Sequence, residues 1–259
     1  VSRVLVEAGA RWLAVACVEE GVELRRAGIG ARILVLGGAM AFEREVLAVH
    51  NLTPVLQSLG EIADYNRLAA RAEAPLDVHL KLDSGMGRMG TRAEAAEIAR
   101  ALVPAAHLRL EGLITHFASP GDFTSTQTGD QIARFDSVCG ELERLGIRPP
   151  YRHASASGAV AYERRGGWYN MVRAGLALYG YLSPAQGASA DPILDVRPAL
   201  TWKARLVAVK DIPAGAVVGY GGTFRAPRPM RIGVVASGYA DGVDRRLANG
   251  GHVIAAGRL

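Results

Sequence analysis

Lysine is scarce in this chain of 259 residues, occurring only at Lys81, Lys203 and Lys210. The formal net charge of +5 therefore rests on arginine. Aromatic residues make up only 6% of the chain, and no basic run is interleaved with them, so a nucleic-acid surface finds no support. Solvated arginine faces are the plainer reading. The same shortage leaves Ala, Val, Leu and Ile to pack the core. Cysteine occurs only as Cys17 and Cys139, with no CxxC pair and no metal-ligand spacing. That excludes a disulfide scaffold, argues against a metal site, and suits a reducing, cytoplasmic setting. No apolar run reaches the ~18 residues of a membrane span, and no signal peptide is visible at the start, so no membrane role is expected.

What the chain does have is apolar sequence, 49% of the residues, in short runs that alternate with amphipathic stretches. Runs at 12–18, 32–38, 52–58, 77–83, 110–118, 151–155 and 168–174 predict strands buried on both faces. Residues 19–27, 92–102 and 131–145 predict helices between them, and 1–9 a helix before the first strand. Regular strand–helix–strand spacing means parallel βαβ units in an α/β fold. A closed parallel barrel takes about eight strands. The expected architecture is thus a (β/α)8 TIM-like barrel whose first strand precedes residue 1, with a doubly wound open sheet as the rival. After Pro184 the pattern changes. Strands are expected at 200–209 and 231–237, a turn at 211–215, and a further strand after Gly250-Gly251. The chain divides into 1–187, the barrel, and 188–259, a β-rich domain.

Five segments carry candidate chemistry. Residues 81–90, KLDSGMGRMG, follow a predicted strand, at the end where barrel enzymes keep their sites. Its glycines allow tight turns, and Arg88 is placed to meet a carboxylate; a solvated arginine on a plain turn is the alternative. His116, in THFA, closes an apolar run and is either a rim residue or a satisfied core histidine. Ser157, in HASAS, suits an anion held by hydroxyls and amides, or a helix cap. In NMVRAGLALYG, Arg173 ends a strand, and Gly175 and Leu176 open a helix whose free amides suit a phosphate. Tyr239, in SGYADG, is otherwise a structural turn residue.

Together and in this order, LDSGMGRMG, THFA, HASAS, NMVRAGLALYG and SGYADG resemble the alanine racemase family, over the whole chain. The resemblance implies a barrel followed by a β-rich domain, and pyridoxal 5'-phosphate as cofactor. It also implies a homodimer, each site combining the barrel of one subunit with the β-domain of the other. Tyr239 would then be the base serving the L-antipode, with Arg88 beside it and the substrate carboxylate. Lys81 falls where some members carry a carbamylated lysine. His116 would link Tyr239 to Arg173, and Arg173 would face the pyridine nitrogen. Ser157 with the amides of Gly175 and Leu176 would hold the phosphate. A tyrosine of reference pKa ~10 needs cations nearby to act at neutral pH, and His116 and the arginines are the candidates. The family's Schiff-base lysine is expected upstream of residue 1, and its last substrate-binding segment beyond Leu259. Residues 1–259 alone are therefore expected not to racemise alanine, and a missing first strand would leave open sheet edges. A racemase for serine or another small amino acid, and a non-catalytic cofactor-binding homologue, are the alternatives. The resemblance leaves open whether the role is D-alanine supply for peptidoglycan precursors or alanine catabolism.

Overall fold

The structure, a computed structural model, describes residues 1–187 and 191–258. It comprises two compact units, Val1–Ala199 and Leu200–Leu259. The boundary expected at 187/188 falls against residues outside the described ones.

The first unit is built on β1 (Trp12–Val15), β2 (Arg32–Val35), β3 (Thr53–Leu56), β4 (Leu76–Lys81), β5 (Leu108–Ile114) and β6 (Tyr151–His153). They form one parallel sheet in the order β1-β2-β3-β4-β5-β6. Sequential order decides against the doubly wound rival, which reverses direction at a switch point. With right-handed crossovers it puts every connecting helix on one face, the arrangement of a barrel wall. The helices are α1 (Ser2–Glu7), α2 (Val18–Arg26), α3 (Arg44–Val49), α4 (Leu59–Arg71), α5 (Ala95–Leu102), α6 (Gln127–Arg144) and α7 (Ser157–Ala161).

Strand periodicity sorts the side chains. Leu13, Val15, Ile33, Val35, Val78, Leu80 and Leu113 join Leu47, Tyr65, Ile98, Phe135 and Leu142 of the helices in the main core. Leu34, Val55 and Ile114, with Trp12 and Leu36, pack on the opposite face. Along β4, His79 and Lys81 alternate with the apolar Val78 and Leu80, and so project away from the helices. Ser58 caps α4 by accepting from the Glu61 amide at 3.3 Å. The buried positions Ile62, Tyr65 and Ala69 share one face of that helix.

The seventh strand expected at 168–174 is absent. A 3₁₀ turn at Arg165–Gly167 leads into an irregular segment, and one parallel bridge from Arg173 to Ala156 is all that joins the sheet. Tyr169 takes a positive φ of 50°, and the Asn170 side chain meets the Arg152 amide and Pro150 carbonyl, so no ladder forms there. The helix expected to open at Gly175 and Leu176 is a single 3₁₀ turn, Leu176–Tyr179. It stops at Gly180, where φ is +80° and an added Cβ would lie 1.8 Å from the Arg197 carbonyl.

The second unit holds two antiparallel pairs: β7 (Leu206–Ile212) with β10 (Met230–Val235), and β8 (Val217–Val218) with β9 (Phe224–Arg225). The strand expected after Gly250-Gly251 is instead a turn closed by an Ala255–Arg258 bridge. Among its described residues only Ala226 is buried. No helix of the described residues is long and apolar enough to cross a membrane.

Candidate active site

The carboxyl ends of the strands surround a cavity of about 1020 Å³. Lys81, Arg88, His116, Ser157, Arg173, Gly175 and Leu176 all line it, so seven of the eight residues singled out by sequence converge on one place. Tyr239 belongs to the second unit, exposed in a 3₁₀ turn, Tyr239–Asp241, with the Arg245 guanidinium 5.8 Å from its ring centroid.

Lys81 ends β4, and the glycine-rich segment beyond it folds back on the strand. Thr91 donates its amide to the Lys81 carbonyl at 2.9 Å, and Asp83 donates to the Thr91 carbonyl at 2.9 Å. Asp83 binds the loop from inside, accepting the Gly85 and Gly87 amides at 3.1 and 2.9 Å and Arg92 Nε at 2.9 Å. Burial opposes the Asp83 charge, but these donors outweigh it and keep its carboxyl below the usual range. Gly90 is required: its φ is +106°, and a Cβ there would lie 2.9 Å from Lys81 Cγ. The loop so held carries Arg88. Burial, with Arg88 and Arg173 near, pulls the Lys81 ammonium down to about 8.

His116 lies two residues past β5. Gln131 of α6 grips its backbone from both sides, donating to the His116 carbonyl at 2.9 Å and accepting the Ala118 amide at 2.9 Å. Burial, then the charges of Arg173, Lys81 and Arg88, hold the imidazole at about 4. His116 is therefore neutral near pH 7. Sequence reasoning counted it among the cations that lower a tyrosine's pKa; a neutral imidazole cannot play that part.

Arg173 is the most heavily tethered cation of the cavity. Nη2 donates to the Thr115 and Ala154 carbonyls at 2.7 and 3.0 Å and meets His116 Nδ1 at 3.2 Å, while Nη1 meets His153 Nδ1 at 2.9 Å. Burial lowers its pKa to about 10, which leaves it a cation at neutral pH. Among the described residues its Nε finds no acceptor. Ser157 Oγ accepts the Gly175 and Ala177 amides at 2.9 and 3.1 Å. Both oxygen lone pairs are then used, and the hydroxyl hydrogen must be donated elsewhere. The Gly175 amide is thus spent on Ser157 rather than left open.

A guanidinium with a spare donor, a hydroxyl bound to donate and a second arginine, in one cleft, suit an anionic group. The donor set fits pyridoxal phosphate. Sequence reasoning missed Gln131, which lies in no motif, and passed over Asp83 and Thr115, although both fall within quoted motifs, LDSGMGRMG and THFA; all three act on the site through backbone and loop contacts. His153 lay within HASAS, at a strand end, and could have been singled out on that position.

Residues 1–183 match the family described as alanine racemase, N-terminal domain, and residues 199–259 match the alanine racemase C-terminal domain. The chain is 39% identical to the alanine racemase of Halothermothrix orenii over 259 residues, all of this chain and 67% of that protein. Among solved structures it is similar to alanine racemase from D-cycloserine-producing Streptomyces lavendulae: TM-score 0.86 and 30% identity, over 99% of this chain and 68% of that one. It is also similar to alanine racemase of Clostridium difficile 630, with TM-score 0.83 and 30% identity, over 94% of this chain but only 64% of that one. The chain thus spans about two thirds of the length of these relatives.

Proposed function

The chain belongs to the alanine racemase family, and from that premise we propose that it interconverts L- and D-alanine with pyridoxal 5'-phosphate as cofactor. The observation that carries the reading is the convergence of Lys81, Arg88, His116, Ser157 and Arg173 on one cavity. Pyridoxal phosphate, when bound, delocalises the negative charge left as the substrate Cα loses its proton.

The chain's own residues supply the remainder. Ser157 holds the phosphate through a hydroxyl hydrogen left free to donate, with the Leu176 amide beside it, while Gly175 spends its own amide on Ser157. Arg173 would face the cofactor's pyridine nitrogen with Nε. A guanidinium of pKa about 10 keeps its proton at neutral pH, so it would offer that nitrogen a donor without giving up a proton. Arg88 orients the substrate carboxylate, and Lys81, a site for carbamylation, tempers the cationic surroundings. Tyr239 removes or returns the Cα proton on the L face, while His116 joins it to Arg173 by a neutral ring. A second base serves the other face. We place Tyr239 in the site of a second copy, so that a homodimer forms two shared sites, and the reaction in the cytoplasm, supplying D-alanine to peptidoglycan precursors.

No observation favours the serine or non-catalytic readings. The full-length protein with pyridoxal phosphate should convert L-alanine to D-alanine, and Tyr239→Phe should lose on the order of 10²–10⁴ in kcat. Turnover of serine but not alanine would sink the substrate assignment. An active Tyr239→Phe would sink the role of the phenol.

A further inference from the structure

Beneath Arg173 the inner face of the sheet carries polar groups that the reaction does not use. His153 Nδ1 meets Arg173 Nη1 at 2.9 Å, and His153 Nε2 meets His79 Nδ1 at 2.8 Å. His79 Nε2 has no hydrogen-bond partner and lies 3.6 Å from Glu111 Oε2. Glu111 is bonded in turn to Arg32, with Nη2 to Oε2 at 2.7 Å. Arg32 also reaches Asp77 at 3.2 Å, and its side chain is 41% exposed. The row runs from the cavity at the strands' carboxyl ends to solvent near their amino ends.

The fold is shaped around this row. In the β4–β5 register Val78 pairs with Leu110 and His79 with Gly112, so Glu111 is the extra residue of a β-bulge. The bulge turns its carboxylate toward His79 and Arg32. Gly112 leaves room for the imidazole: a Cβ there would lie 2.3 Å from His79 Nδ1. Trp12 meets the His79 ring edge-on at 5.5 Å, and Tyr151 stacks at 6.1 Å. Both imidazoles have no exposed surface, and burial lowers the pKa of each, so both rings are neutral at pH 7.

The ends dictate the direction. Arginine can only donate, so His153 must accept at Nδ1 and carry its proton on Nε2. That proton goes to His79 Nδ1, and His79 must then carry its own on Nε2, toward an acceptor-only carboxylate. We propose that Glu111, His79 and His153 form a one-way row, hydrogen-bonded from His79 through His153 to Arg173 and closed by the Glu111 carboxylate 3.6 Å from His79 Nε2, that fixes the His153 tautomer and thereby positions the Arg173 guanidinium for the cofactor. His79 and Glu111 are positioning residues acting through His153. The inference rests on the assignment of Arg173 to the cofactor's ring nitrogen.

The test separates the two. In the cofactor-free full-length protein with ¹⁵N-histidine, long-range ¹H–¹⁵N spectra should show His79 and His153 neutral and protonated at Nε2. A proton on Nδ1 of either ring, or a cationic ring, overturns the row whatever the cofactor does. Two variants then separate hydrogen bonding from packing. His79→Phe keeps a ring between Trp12 and Tyr151 but removes the acceptor; His79→Asn opens space but sets an oxygen near the place of Nδ1. The Phe variant should lose about tenfold or more in kcat, with a smaller change in KM, and release His153 to both tautomers. The Asn variant should keep the tautomer and most of kcat. Equal losses, or the reverse order, overturn the proposal. Failure of pyridoxal phosphate to bind the unaltered protein would instead remove the cofactor assignment and leave the tautomer result standing.

Discussion

Burial discharges the imidazoles of this site and leaves the guanidinium charged, and that contrast has measurable consequences. His79 and His153 are fully buried, and burial lowers the pKa of both, His153 well below its usual 6.5. In the unfolded chain these rings protonate at about 6.5, whereas burial in the folded chain holds both below that. The unfolded state therefore binds more protons below that pH, and stability falls as pH falls, by up to about 1.4 kcal/mol per pH unit for each ring. The urea midpoint should drop steeply from about pH 7 to about pH 5; a flat profile would mean that the rings take up protons in place. Lys81 acts at the other end of the scale. Its folded pKa is about 8 against an ordinary 10.5, so the penalty it imposes is complete below 8 and is relieved as pH rises toward 10.5. Gln131 offers a separate check. Gln131→Leu leaves the His116 carbonyl and Ala118 amide unmet, which should cost about 1–3 kcal/mol and lower kcat by displacing His116. A variant as stable and active as the parent would remove Gln131 from the site.

Between residues and whole units, the loop after β4 does the most to shape the cavity. The Lys81–Thr91 and Asp83–Thr91 backbone bonds and the Asp83 carboxylate fold it into a closed return that presents Arg88. Gly90→Ala forces a side chain into a positive-φ position against Lys81, at a cost of about 1–3 kcal/mol. The outcome expected is a lower denaturation midpoint together with a raised KM for alanine, as Lys81 and Arg88 shift. An unchanged KM would show that the loop's shape does not set substrate binding. The irregular segment before Arg173 is the counterpart: a single bridge to Ala156 suffices there because the guanidinium itself ties into Thr115, Ala154 and His153.

Over the whole molecule the two units differ sharply in burial. The first has a continuous core between sheet and helices. The second, among its described residues, buries only Ala226, while Leu206, Val207, Val209, Val234 and Val235 stand exposed on its β7–β10 pair. Residues 200–259 produced alone should therefore show no cooperative unfolding, and a sharp transition would contradict this. If two copies share each site, mixing inactive Arg173→Ala and Tyr239→Phe full-length proteins should restore up to about a quarter of native activity. Half the dimers would be hybrids with one intact site of two. No recovery after subunit exchange would place Tyr239 and Arg173 in the same copy.

Much of this was legible from the residues alone, because hydrophobic period and turn chemistry are local. The strands expected from 12, 32, 52, 77, 110 and 151 fall on β1 to β6, most of them marked by Val and Leu runs, and the motifs mark the ends where polar groups gather. The helix expected at 131–145 is α6, which begins four residues earlier and buries Phe135, Val138, Cys139 and Leu142. What local pattern does not carry is which strand lies beside which, and which polar side chains meet across the sheet. His79 sits amid apolar residues and looks like any satisfied core histidine; only the bulge at Glu111 and the inward face of β4 put it between Glu111 and His153. Those contacts join residues 74 and 20 positions apart along the chain, through His79–His153 and His153–Arg173. Only the assembled sheet brings them within hydrogen-bond distance, so the tertiary structure alone decided how Arg173 is held.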